Sequence, residues 1–294
     1  MEQRDSISPP NLAALEDEAR RLTQHPAFAG ARAEFCDGLI NFHVGRRLAN
    51  IGLGYTLGWA AAALIVYLDH ALPEGVTSAH LARLLTAGRL AGPKAVKGAI
   101  NVLLSFGLIE EDAHGADRRA KRLRPTDLLL DVQRDNIVAR LSALEIVQPL
   151  PRPAREWGRE NSVVIAFLGG NVRAFAHHKL RLYDGFPEIR AFMDRACGYL
   201  VLLDLLRRAD DARGGAIVTA ASPSALASRF DISRAHVRKL LAAARAQRWL
   251  DIDANSGRVL LDASFHQRLI LWIALELVWT WRLVRPDRSG SGRD

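Results

Sequence analysis

Residues 92–111, GPKAVKGAINVLLSFGLIEE, decide the fold. Pro93 sits where a helix can begin, because a first-turn N–H has no intrahelical partner to lose. Val96, Ile100, Leu103 and Leu104 then recur at three- and four-residue spacing and make one apolar stripe. Lys94, Gly98, Asn101 and Ser105 fall on the opposite face, with Lys97 at its margin. A short apolar run follows and leads into an acidic turn. A shorter helical segment, TSAHLARLL at residues 77–85, precedes it.

The same order comes again later. Residues 222–230, SPSALASRF, read as a short helix behind a hydroxyl, and residues 231–253, DISRAHVRKLLAAARAQRWLDID, as a longer helix with an apolar exit. Leu81-Ala82 overlays Leu226-Ala227, and Val96, Ile100 and Ile109 overlay Val237, Leu241 and Leu250, the first copy being four residues longer in its turn. Ser233 is placed to cap the second long helix. There Val237, Leu240, Leu241 and Ala244 are expected inward, and Ala235, Lys239, Ala242 and Ala246 outward, flanked by His236 and Arg238. A duplicated supersecondary unit explains both halves.

Beyond the first long helix lies DRRAKRLRPT, residues 117–126. Five of the seven residues from Arg118 to Arg124 are cations: Arg118, Arg119, Lys121, Arg122 and Arg124. Packing like charge so closely points to a polyanion, and a net charge of +8 points the same way. A protruding helix fits the DNA major groove, and a basic hairpin beside it reaches the backbone or minor groove. Candidate contacts are therefore Lys94, Lys97 and Asn101 on the first helix, the basic turn, and Arg234, His236, Arg238 and Lys239 on the second. Asn can read adenine through two hydrogen bonds, whereas the alanine-faced second helix offers its cations mainly to phosphates.

The run HLARLL…AVKGAINVLLSFGLIEEDAHGADRRAKRLRPT resembles the winged-helix core of the MarR family of bacterial transcription regulators. That family's wing carries Asp-x-Arg, then an apolar residue and a threonine, places taken here by Asp117, Arg119, Leu123 and Thr126. The resemblance covers residues 35–147 and implies that Arg119 enters the minor groove while Asp117 orients its basic neighbours. Pro125, standing where a strand residue is usual, and the second copy depart from the pattern. It further implies a small aromatic or lipophilic effector, and a homodimer for which a tandem chain could substitute an intramolecular pseudo-dimer.

The expected fold is mainly α: two winged helix-turn-helix units, each a three-helix core plus a small β-wing, with long flanking helices. Three prolines between Pro149 and Pro153 mark residues 148–160 as a linker between domains at 1–147 and 161–294. The helix around RLILWIALELVWTWRL is apolar nearly all round, with Glu276 its single charge between Arg268 and Arg282, so it is expected in a domain junction or dimer seam. Trp272, Trp279 and Trp281 read as core there, or as the lining of an effector pocket. The 21 uncharged residues Leu48 to Leu68 reach spanning length, but Asn50, Thr56 and three glycines favour a core helix broken at Gly52-Leu53-Gly54.

Cys36 and Cys197 stand alone, no His or Cys spacing suits a metal, and no phosphate loop, dinucleotide fingerprint or catalytic triad order occurs. Neither enzyme activity, cofactor nor metal is expected. The charged, proline-bearing start lacks a secretory core, which fits a cytoplasmic, nucleoid-associated protein. Double-stranded DNA is the expected partner; the alternatives are a tandem winged-helix module that binds proteins, and a regulator anchored by residues 48–68.

Overall fold

The computed structural model describes residues 11–44, 52–112, 121–178, 180–209, 216–219 and 221–285. The chain is mainly helical, as expected, with two small antiparallel sheets. The first half runs α1 (Leu12–Thr23), α2 (Phe28–His43), α3 (Thr56–Ala71), β1 (Val76–Thr77), α4 (Ser78–Ala87), α5 (Pro93–Ser105), β2 (Ile109–Asp112), β3 (Arg122–Pro125) and α6 (Asp127–Val147). A short helix, α7 (Ala154–Trp157), leads to the second half. There follow α8 (Asn161–His178), α9 (Pro187–Met193), α10 (Gly198–Arg207), β4 (Ala216–Val218), α11 (Pro223–Arg229), α12 (Arg234–Ala246), β5 (Leu250–Ile252), β6 (Val259–Asp262) and α13 (Ala263–Val284).

Each half orders its elements as helix, strand, helix, helix, strand, strand. Its sheet places the last strand centrally, as β1-β3-β2 and β4-β6-β5. Local chemistry is duplicated too. Thr77 accepts from the His80 amide at 3.2 Å to start α4, and Ser222 from the Ala225 amide at 3.3 Å to start α11. Both short helices end on a left-handed residue, Arg89 (φ 54°) and Asp231 (φ 51°). The next residue closes the turn, Leu90 N–H donating to Leu85 O at 3.0 Å and Ile232 N–H to Ala227 O at 3.1 Å. Pro93 opens α5, and Ser233 caps α12 through the His236 amide at 3.1 Å. Val96, Ile100 and Ile109 are buried, as are their counterparts Val237, Leu241 and Leu250.

The halves share one hydrophobic core. Helix α3 of the first packs on α8 of the second, and α10 of the second on α2 of the first, a reciprocal exchange. Helix α2 lies along α6, close enough that a Cβ on Gly38 would meet that of Ala139 at 2.9 Å. Helix α1 lies along α13. Nearly every side chain from Leu269 to Thr280 is buried, as expected for a helix apolar all round at a junction.

The proline-rich stretch is not an open tether. Its prolines follow the end of α6, but Ala154 and Trp157 are buried, and the Trp157 ring meets Trp281 edge-on at 6.4 Å. Pro125 ends β3 opposite Ile109, where its missing N–H is tolerated. Of the stretch 48–68, residues 48–51 lie outside the described residues; the remainder enters α3, whose Gly58 sits against the Gly52 carbonyl, where a Cβ would come within 1.8 Å. Among the described residues no helix is long and apolar enough to cross a membrane.

Candidate nucleic-acid interface

Burying Val96, Ala99, Ile100 and Leu103 turns Lys94, Lys97 and Asn101 of α5 outward, all three exposed. Neither lysine makes an ion pair among the described residues. In α12, burial of Val237, Leu240, Leu241 and Ala244 does the same for Arg234, Arg238 and Lys239. These three are also without an ion pair among the described residues, and Ala235, Ala242 and Ala246 are exposed beside them.

His236 is placed differently. Its ring is half-buried, with Nε2 at 2.9 Å from the Ala196 carbonyl, so Nε2 carries the proton and donates. Expected among the DNA contacts, it is instead engaged with the turn before α10.

The basic turn divides. Asp117, Arg118 and Arg119 lie outside the described residues. Lys121 pairs with Glu111 at 2.5 Å while staying largely exposed. Arg122 folds back on the body: its guanidinium donates to Asp69 at 2.7 Å and to the Pro73 carbonyl at 3.2 Å, with only 20% of the side chain exposed. Arg124 lies 3.5 Å from Asp112. The expectation that Arg122 faces a polyanion therefore fails geometrically, because a carboxylate on α3 already holds it.

The second hairpin is short and self-contained. Asp253 accepts from the Asn255 and Ser256 amides at 3.1 and 3.3 Å and from the Ser256 hydroxyl, which holds its carboxyl below the usual range. Arg258 beside it is exposed. Arg248, not among the residues singled out from the sequence, is exposed just past α12 in the left-handed region (φ 60°).

A second feature lies between the halves: a cavity of about 270 Å³. Trp272 and Trp279 line it, whereas Trp281 is not among its lining residues and meets Trp157. Arg140 of α6 and Glu276 of α13 pair at its wall, Arg140 lying 5.4 Å from the Phe35 ring and 5.5 Å from that of Phe167. Tyr199 is enclosed but keeps some free surface toward the cavity, and desolvation, aided by the Glu276 charge, pushes its phenol well above the usual range. The signal for this site in the sequence was Glu276, a lone charge on an otherwise apolar helix.

Among the described residues no group of three or more His, Cys, Asp or Glu side chains is arranged to hold a metal. No family model matches the chain, nor does any curated protein or solved structure.

Proposed function

We propose that this chain is a sequence-specific DNA-binding transcription regulator built from two winged helix-turn-helix units. Helices α5 and α12 are the recognition helices, and the hairpins after them are the wings. The carrying observation is positional: at the same place in a duplicated element order, both helices turn away from the core cations (Lys94 and Lys97; Arg234, Arg238 and Lys239) that make no ion pair among the described residues. A helix fits the major groove, which is about 12 Å wide. Lys94, Lys97, Arg234, Arg238 and Lys239 then hold phosphates, Asn101 reads a base, and Arg119 of the first wing lies on the minor groove or backbone. The reciprocal packing of α3 on α8 and α10 on α2 favours an intramolecular pseudo-dimer that addresses two half-sites.

Selection of bound duplexes from a random pool tests this directly. Two related half-sites at fixed spacing are expected, and Asn101→Ala should relax the preference at one position. A pool that emerges without any enriched motif removes the sequence-specific reading. A protein-binding module of the same build is the second reading, favoured by the exposed alanines of α12 and the internal pairing of Arg122. It predicts no enriched motif and no duplex bound more tightly than the bulk.

A further inference from the structure

The turn that leads into α5 is held from the opposite half. Gly88 ends α4 with ordinary backbone angles (φ −72°, ψ 1°), so its own conformation does not call for glycine. A neighbour does: a Cβ there would come within 2.0 Å of the ring of Phe175, a residue of α8. Arg181 holds the same residue, donating to the Gly88 carbonyl at 2.9 Å while its guanidinium lies 5.9 Å from the Phe175 ring. That carbonyl is among the last of α4, which have no partner within the helix.

The start of α12 is also held across the halves, by a different chain of contacts. His236 Nε2 donates to the Ala196 carbonyl at 2.9 Å. The next residue, Cys197, stands in the left-handed region (φ 53°), which is unfavourable for a residue with a Cβ, and its N–H reaches the Gly54 carbonyl of the first half at 3.0 Å. Thr56 Oγ1 donates to the Met193 carbonyl at 3.1 Å and fixes the other end of that turn. Each proposed recognition helix is thus tied, at its N-terminal end, to the half it does not belong to. The ties are not copies of one another. Where Gly88 caps α4, the buried Phe230 caps α11, and the place of His236 in α12 is taken in α5 by Ala95, which has no side-chain donor.

We propose that Phe175 and Arg181 on Gly88, and His236 on the Ala196–Cys197 turn, are struts that fix the separation and mutual angle of α5 and α12, so that the chain accepts paired half-sites at a single spacing. These are positioning residues, acting on the duplex only through the two helices. The half-site spacing rests on the DNA-binding reading above; the helix separation does not. One inserted base pair shifts a half-site by about 3.4 Å and turns it by about 35°, more than two helices held in this way can follow.

Nitroxide labels on Gly98→Cys of α5, where a side chain meets open space, and on Ala242→Cys of α12, which is exposed, report the helix separation by pulsed electron resonance; Cys36 and Cys197 are buried. The full chain should give one narrow distance distribution. Phe175→Ala combined with Arg181→Gln removes the first strut and His236→Ala the second, and each should broaden it. Gly88→Ala, which drives Phe175 off the turn, serves where the double variant does not melt cooperatively. The labels read distance without nucleic acid, so they judge the struts even where no duplex is bound with sequence preference. Duplexes carrying the two selected half-sites are then lengthened or shortened between them by one base pair. Wild type should lose about a hundredfold in affinity, the low end of what engaging two linked sites adds, and the strut variants less than about tenfold. A duplex with one half-site should bind wild type and the Phe175/Arg181 double variant alike. An equally narrow distribution in the variants, a broad one in wild type, or a spacing penalty that the variants keep in full would each overturn the proposal.

Discussion

The two long helices and the hairpins after them are built to one plan yet present charge differently. In the first half, the cations crowd the hairpin, and those described are answered from within: Lys121 by Glu111, Arg122 by Asp69, Arg124 by Asp112. In the second, the hairpin is a short turn closed on Asp253, and Arg234, Arg238 and Lys239 of α12 make no ion pair among the described residues. A run of positive residues therefore measures charge density along the chain, not charge available to a partner. Availability depends on carboxylates brought near by the fold.

If that contrast governs binding, the largest effect comes from α12. Replacing Arg234, Arg238 and Lys239 together by alanine should flatten the slope of log K against log salt by about 2.7, three contacts at about −0.9 each, and lower affinity roughly a hundredfold near 0.15 M salt. A slope identical to wild type, read by fluorescence anisotropy, would mean α12 never meets phosphate. Arg122→Ala should then do the opposite. Losing its charged hydrogen bonds to Asp69 and Pro73 should cost about 2 kcal/mol of stability in a denaturant melt, with affinity for DNA nearly unchanged. A large affinity loss with unchanged stability would return Arg122 to the interface.

The last contrast is between the two thiols, one in each half. Burial pushes the Cys36 thiol from 9.0 up to about 12, and raises Cys197 as well. Between those values the unfolded chain loses the Cys36 proton while the folded chain keeps it, so stability should decline as pH climbs from 9 toward 12. Cys36→Ala should make that decline shallower. Melts at stepped pH that show the same decline in both proteins would remove Cys36 as its source.

Much of the fold was legible because its signals are local. Pro93, Ser233 and the stripes through Val96 and Val237 carry their helices on their own, and the duplicated order needed only sequence spacing. The fate of Arg122 was not legible, because its partner Asp69 is 53 residues away and meets it only once α3 and β3 are packed. Residues 148–160 misled for a related reason: prolines truthfully mark the end of a helix, yet Trp157 has apolar surface to bury and finds Trp281. The cavity was least legible. Asn136, Arg181, Tyr199 and Glu276 come from separate elements, and only Glu276, alone on an apolar helix, stood out beforehand. Residues 117–119 lie outside the described residues.

The docking of α1 along α13 has a consequence during synthesis. Glu18 and Arg282, which meet at 2.5 Å, are separated by 264 positions in the chain. At translation rates of about 5–20 residues/s, the first helix waits roughly 10–50 s before its final neighbour has been made. Through that interval the apolar side of α1, with Leu15 and Ala19, lacks its mature cover. Docking of the first helix is thereby tied to synthesis of α13, and a nascent-chain holdase acting on the first helix would have its longest opportunity in that interval.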